Sequence, residues 1–184
     1  MKPNWFIGLC PDTTEWLAAL LVDKPKRVRG FHPNDLHITL AFLGNCSPIN
    51  AQQTWEHATK IPPHATTIIS NQLKPMGNPK RPSALSLTFQ QDEIISQWIS
   101  TYRGALLQQA GARPDNRPPL PHLTIARPQR RITDKQRANA VEWSQSIVVP
   151  SIPISFSTMA LFTWSVDRKE ILFRKVHEMN LPKH

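Results

Sequence analysis

Two short segments of this sequence repeat one pattern of residue types. Residues 36–41 (LHITLA) and 121–126 (PHLTIA) both contain the pattern His-apolar-Thr-apolar-Ala. In an extended strand, successive side chains point to opposite faces, so each segment places an imidazole and a hydroxyl on one face. The other face is apolar: Ile38, Leu40 and Phe42 in the first segment, with Leu123 and Ile125 in the second.

Such a pair of segments is suited to proton transfer at a phosphate. If the two strands lie near a pseudo-two-fold axis, His37 and His122 face one cavity. A neutral histidine can take a proton from a nucleophile, and a protonated histidine can donate a proton to the leaving oxygen. Both forms are accessible near neutral pH because the ordinary imidazole pKa lies near 6.5. Thr39 and Thr124 can donate hydrogen bonds to phosphate oxygens, and Arg127 can stabilise negative charge. Strict alternation puts Arg127 on the apolar face, so we expect it to act from the end of its strand.

Two alternatives to acid–base catalysis remain open for these histidines. A single His-x-Thr in a strand is common and usually structural, although two matching copies are a stronger signal. Paired histidines can also bind metal, but neither segment has a carboxylate or Cys at ligand spacing. We therefore expect no metal. The sequence also lacks a glycine-rich phosphate-binding loop, and no cofactor is expected. The remaining histidines are expected to be surface or packing residues: His32, His57, His64, His177 and His184.

The elements around these segments form a mixed pattern of helices and strands. Apolar runs and their flanking residues predict strands over 5–10, 36–43, 65–73, 83–89, 121–126, 152–163 and 170–176. Helical spacing and capping residues predict helices over 12–22, 48–60, 93–110 and 133–145. Residues 24–33 are read as a basic connector and 74–82 as a turn-rich loop. Possible hairpins among the strands favour an α+β fold with antiparallel sheet over a doubly wound parallel sheet.

Composition points to an anionic partner. The 184 residues include 22 Lys and Arg against 13 Asp and Glu, a net charge of +9. The partner could be RNA, DNA, a nucleotide or an acidic membrane face. Basic residues outside the two segments could contact it: Lys26, Arg27, Arg29, Lys80, Arg81, Arg130 and Arg131. Cys10 and Cys46 are most simply free thiols. The sequence lacks a secretory signal pattern and a long apolar run, so we expect a cytoplasmic protein with no membrane contact, acting as a monomer.

The two segments and their surroundings resemble a known family. LHITLAFLG (36–44) and PHLTIAR (121–127) are similar to the signature segments of the RNA 2′,3′-cyclic phosphodiesterases, also called 2′-5′ RNA ligases, of the two-histidine (2H) phosphoesterase superfamily. The resemblance extends over essentially the whole chain, including residues 5–22 and 161–176. It implies one bilobal domain over 1–184, with two antiparallel β-sheets flanked by helices around a central basic cleft.

The resemblance also implies roles for individual residues. His37 and His122 would open a terminal 2′,3′-cyclic phosphate of RNA to a 2′-phosphate, with His37 protonating the leaving oxygen and His122 activating water. Thr39, Thr124 and Arg127 would bind the phosphate. The reverse reaction with a 5′-hydroxyl would form a 2′-5′ linkage. Four further side chains could contact bases or RNA: Phe42, Trp164, Arg29 and Arg130.

The sequence departs from the family pattern at two places. Ile125 stands where Leu is commoner, and Trp164 is followed by a charged loop in place of smaller residues. These departures leave substrate choice open. The alternatives are a 2H phosphodiesterase acting on small cyclic nucleotides, and a protein that binds RNA or nucleotides without turnover.

Overall fold

The computed structural model describes residues 3–60, 62–78 and 81–183. Within these residues the strands are β1 (Trp5–Pro11), β2 (Val28–Gly30), β3 (Ile38–Gly44), β4 (Thr66–Asn78), β5 (Arg81–Gln90), β6 (Leu123–Pro128), β7 (Pro153–Trp164) and β8 (Phe173–Asn180). The α-helices are α1 (Trp16–Leu20), α2 (Pro48–Ala58), α3 (Glu93–Gln109) and α4 (Asp134–Ser146), and a 3-10 turn spans Pro33–Asp35. The predicted α+β class is confirmed.

The eight strands form one antiparallel set with two halves. One half has the order β3-β1-β7-β8 and the other β2-β6-β5-β4. The halves are joined where β4 pairs with β7 and where β3 pairs with β6, so six strands close into a ring. The two predicted sheets are therefore two halves of one hydrogen-bonded set. The β3–β6 junction consists of a single pair, Ile38 with Leu123.

The helices cover the ring on the apolar faces of the strands. Helix α3 packs against β3, α2 packs against α3, and α4 packs against β4 and β5. The apolar residues of the two repeated segments, Ile38, Leu40, Leu123 and Ile125, are each at most 2% exposed. Burial of a side chain of this size contributes about 1.5–3 kcal/mol, so the strands that carry the histidines are firmly anchored.

Four elements differ from the sequence-based expectation. The last strand, predicted over 170–176, is β8 at Phe173–Asn180. Helix α1 is shorter than predicted and has no side-chain cap. The carboxylate of Asp12 instead accepts hydrogen bonds from Ser157 on β7. The expected loop 74–82 is mostly strand, since β4 and β5 stay paired as far as Asn78 and Arg81, with a register shift at Gly77 where φ is +96°. The basic connector contains the short strand β2, which pairs with β6.

Candidate active site

Each histidine of the repeated segments lies directly before its strand and is fixed in the same way. His37 Nδ1 lies 2.7 Å from the backbone oxygen of Asp35, and His122 Nδ1 lies 2.7 Å from that of Leu120. A carbonyl oxygen can only accept, so Nδ1 carries the proton in both rings. The neutral rings therefore keep Nε2 unprotonated and available to a ligand. Both side chains have the same tautomer because the backbone two residues earlier imposes it.

The two histidines meet at one cleft. Ile38 and Leu123, the residues directly after them, form the single pair that joins β3 to β6. His37 lines a cavity of about 300 Å3, and His122 lines a cavity of about 560 Å3. Thr39 and Phe42 line both cavities, so the two spaces adjoin at β3.

A β-bulge interrupts the alternation in each segment. In β3, Thr39 pairs with Gly8 and Ala41 with Ile7, so Leu40 is an extra residue. In β6, Thr124 pairs with Ser86 and Ala126 with Leu85, so Ile125 is extra. A bulge of this kind shifts the face of every later side chain. The repeat in sequence thus continues as a repeat in strand register.

The bulges correct two expectations. Phe42, expected on the apolar face, lies opposite Phe6 on the cleft side of the sheet and is 53% exposed. Arg127 was expected to reach round from the apolar face. The bulge at Ile125 instead turns it to the face of Thr124, where β2 places Arg29 opposite it. Phe42 and Arg127 each lie five residues after a histidine and occupy equivalent positions in the two halves.

The two threonines have different neighbours. Opposite Thr124, the buried hydroxyl of Ser86 lies 2.9 Å from the Thr124 Oγ1. If Ser86 donates that hydrogen bond, the Thr124 hydroxyl keeps its own proton for a ligand. Opposite Thr39 stands Gly8, where a Cβ would lie 2.9 Å from a backbone oxygen of β3 and 3.3 Å from the His37 Cβ. Sequence reasoning missed both Ser86 and Gly8, because only the register reveals them.

An aromatic box surrounds His37. The rings of Phe6, Phe162 and Phe173 have centroids 4.4, 5.1 and 5.5 Å from the imidazole centroid. Burial against these rings lowers the pKa of His37 to about 4, and the proximity of His122 acts in the same direction. The imidazole of His37 is therefore neutral in the free protein at neutral pH.

Four arginines gather beside this box. Arg130 and Arg168 line the His37 cavity, and the guanidinium carbon of Arg168 lies 4.4 Å from the centroid of the Trp164 ring. Burial lowers the pKa of Arg127, and the repulsion of Arg29, Arg168 and Arg130 adds to this effect. Arg127 is not among the described residues that line the two cavities, although its charge is felt by Arg29, Arg130 and Arg168.

Asp35 and Arg29 hold the loop that carries Arg168. The fully buried carboxylate of Asp35 accepts hydrogen bonds from the amides of Leu172 and Phe173, at 2.8 to 3.0 Å. The guanidinium of Arg29 donates to the carbonyl oxygens of Arg168, Lys169 and Glu170. Arg29 thus holds this loop in place, and its contact with RNA stays a prediction. Asp35, which also binds His37 through its carbonyl, was missed by sequence reasoning.

The remaining predicted contacts lie at different distances from the cleft. Trp164 lines the His37 cavity, but one face of its ring is covered by Arg168, so that face is not available to a base. The other predicted basic contacts are exposed, namely Lys26, Arg27, Arg81 and Arg131. Lys80 falls outside the described residues.

Cys10 and Cys46 are free thiols. Among residues 3–60, 62–78 and 81–183, no three His, Cys, Asp or Glu side chains come together as a metal site. None of the helices in these ranges has the length and apolar character to cross a membrane.

Comparison with known proteins finds chains that are similar in sequence or in fold. No protein-family model matches the sequence. A protein of Bacillus subtilis named RNA 2′,3′-cyclic phosphodiesterase is 28% identical over 137 residues, which is 69% of this chain and 72% of that protein. Escherichia coli LigT complexed with 3′-AMP superposes with a TM-score of 0.69 at 18% identity, covering 98% of this chain and 99% of LigT. The protein TT0787 of Thermus thermophilus gives a TM-score of 0.68 at 15% identity, with 98% and 99% covered.

The fold is thus that of the LigT-like phosphoesterases over nearly the full length of both chains. This agrees with the resemblance of the two signature segments to those of the 2H phosphoesterases.

Proposed function

We propose that this protein opens terminal 2′,3′-cyclic phosphates of RNA, leaving a 2′-phosphate and a free 3′-hydroxyl. The observation that carries the proposal is the pair of histidines at one cleft, each with Nδ1 fixed by a carbonyl and Nε2 left for the substrate. The name of the Bacillus subtilis relative supports the substrate, and so does the net charge of +9.

The chemical step uses the two Nε2 atoms on opposite sides of the phosphorus. His122 Nε2 takes a proton from water as the water oxygen forms a bond to phosphorus. The bond from phosphorus to the 3′-oxygen breaks, and that oxygen takes the proton from His37 Nε2. One water is consumed, and proton exchange with solvent restores both rings. Positioned acid–base catalysis of this kind typically contributes about 10² to 10⁴ in rate.

His37 must gain a proton to act as the acid, and the substrate supplies the reason. The aromatic box keeps the ring neutral in the free protein, with a pKa of about 4. A phosphate anion beside the ring favours its charged form and raises that pKa. Protonation of His37 is thereby coupled to substrate binding. Thr39 and Thr124 donate hydrogen bonds to phosphate oxygens, and Arg127 adds positive charge on the face of the sheet that carries Thr124.

The test is turnover of a short RNA that ends in a 2′,3′-cyclic phosphate. His37→Ala and His122→Ala should each lower kcat by about 10² to 10⁴, while His57→Ala, at an exposed histidine of α2, should leave it unchanged. The product should carry its phosphate on the 2′-oxygen, and EDTA should not inhibit. Full activity in either cleft variant, or inhibition by EDTA that zinc reverses, would contradict the mechanism.

The same assay separates the alternatives. Turnover of small cyclic nucleotides without turnover of RNA would indicate a different phosphodiesterase, and binding without any turnover would indicate a nucleotide-binding protein. Replacing water by an RNA 5′-hydroxyl would test the reverse reaction, which forms a 2′-5′ linkage. Action as a monomer in the cytoplasm stays a prediction.

A further inference from the structure

The cavity of His37 contains positive charge that the chemical step does not use. Arg168 and Arg130 line this cavity of about 300 Å3 together with His37 and Thr39. The guanidinium carbon of Arg168 lies 6.0 Å from the Phe173 ring centroid, and that centroid lies 5.5 Å from the His37 ring. A ligand that reaches His37 therefore passes close to Arg168.

No carboxylate among the described residues forms an ion pair with Arg168. Burial lowers the pKa of Arg168, and Arg130 and Arg29 lower it further by repulsion, whereas Asp35 acts in the opposite direction. The Asp35 carboxylate is already bound by two backbone amides. The buried Nε of Arg168 has no hydrogen-bond partner among the described residues. Clustered guanidinium groups with free donors are the usual protein binding site for phosphate.

The loop that carries Arg168 is held rigidly in advance of any ligand. Asp35 fixes its end at Leu172 and Phe173, and Arg29 binds three consecutive carbonyls from Arg168 onward. Trp164 supports the Arg168 guanidinium from below at 4.4 Å, a cation–π distance. A preorganised donor loses little freedom on binding, which favours affinity for an anion.

We propose that Arg168 and Arg130 form a second phosphate subsite, which binds the phosphodiester that links the terminal nucleotide to the rest of the RNA. This inference rests on the proposed function and adds a substrate requirement to it. The enzyme then binds two phosphates of its substrate: the cyclic phosphate at the two histidines and the preceding phosphodiester at Arg168. A substrate of at least two nucleotides is then preferred over a cyclic mononucleotide.

The experiment compares three substrates with four proteins. The substrates are a nucleoside 2′,3′-cyclic phosphate, the same compound with a 5′-phosphate, and a dinucleotide ending in a 2′,3′-cyclic phosphate. The proteins are wild type, Arg168→Ala, Arg168→Lys and Lys169→Ala. Lys169 is the matched control because its replacement removes the same charge from the same loop at an exposed position that does not line the cavity.

Arg168→Ala should lower kcat/KM for the dinucleotide by about tenfold, the usual worth of a charge-assisted hydrogen bond, and leave the cyclic nucleoside within about twofold. Arg168→Lys should fall between wild type and Arg168→Ala, and Lys169→Ala should match wild type. In Arg168→Ala, the plot of the logarithm of the dinucleotide binding constant against the logarithm of salt concentration should be less steep than in wild type. The slope should differ by about 0.7, the contribution of one phosphate. A loss that also extends to the 5′-phosphorylated mononucleotide would show that a terminal phosphate satisfies the subsite.

An equal loss for all three substrates, or no loss for the dinucleotide, would overturn the second subsite while leaving the proposed function intact. Absence of turnover of every substrate by wild type would instead contradict the proposed function. Binding of a dinucleotide 2′-phosphate and a nucleoside 2′-phosphate, measured by calorimetry, tests the subsite without turnover. Equal affinity of the two for wild type, or an unchanged ratio in Arg168→Ala, would overturn it. Melting curves of the variants establish that the fold is retained.

Discussion

The aromatic box of His37 predicts an unusual acid sensitivity of the folded state. The pKa of His37 is about 4 in the folded chain, whereas an ordinary histidine has a pKa of 6.5. Protonation of the ring therefore costs about 3 kcal/mol more in the folded chain than in the unfolded chain. Between these two values the unfolded chain binds one proton more than the folded chain. The free energy of unfolding therefore falls as pH decreases from 6.5 to 4, by up to about 1.4 kcal/mol per pH unit. Below a pH of about 4 the loss is complete.

Urea unfolding of wild type and His37→Gln from about pH 7 to about pH 4.5 measures this effect. Glutamine does not titrate, so wild type should lose about 2 kcal/mol more than the variant over this range. Nuclear magnetic resonance of the His37 ring gives its pKa directly. In Phe6→Ala, which opens the box, that pKa should move upward, since burial is the largest cause of the shift. Titration of wild-type His37 near its ordinary value, with parallel stability curves for the two proteins, would refute the reasoning.

Three further predictions concern the surroundings of this ring. Asp35→Asn should weaken the anchoring of residues 165–172 by about 1–3 kcal/mol, seen as faster hydrogen exchange in that loop and a lower kcat/KM. Gly8→Ala should displace His37 and lower kcat by up to about 10²-fold. Gly104→Ala, where a Cβ meets no atom within 4 Å, should leave kcat unchanged. Steady-state kinetics on both variants measures the difference. Profiles of rate against pH should show the acid-side inflection of kcat at higher pH than that of kcat/KM, because bound phosphate raises the pKa of His37; coincident inflections would contradict the coupling.

The sequence predicted the histidine face well up to the threonines and failed beyond them. Alternation correctly separates His37 and Thr39 from Ile38, and the structure keeps that separation. It fails at Phe42 because Leu40 is an extra residue in the strand. A bulge leaves no mark in a pattern of apolar and polar residues, since the extra residue is itself apolar and buried. The same cause explains the misplacement of Arg127.

The partners of the site were missed for a different reason. Asp35 and Arg29 act on a loop more than 130 residues later in the chain, and no local spacing indicates such a contact. Ser86 becomes relevant only through its register opposite Thr124. Short elements were also missed: β2 has three residues within a basic stretch, too few to show a period. The sequence therefore predicts local patterns of apolar and polar residues, but not which distant residues and strands are paired.

The equivalent positions of Phe42 and Arg127 have a consequence for substrate direction. Two identical halves would accept a cyclic phosphate in either of two orientations, related by the pseudo-symmetry, with the roles of the histidines exchanged. Here one half presents an apolar ring and the other a cationic group at the same register. The two orientations therefore differ in free energy, and under the proposed function an RNA end would enter with a single polarity. A duplicated framework thus acquires direction from unmatched side chains such as this pair.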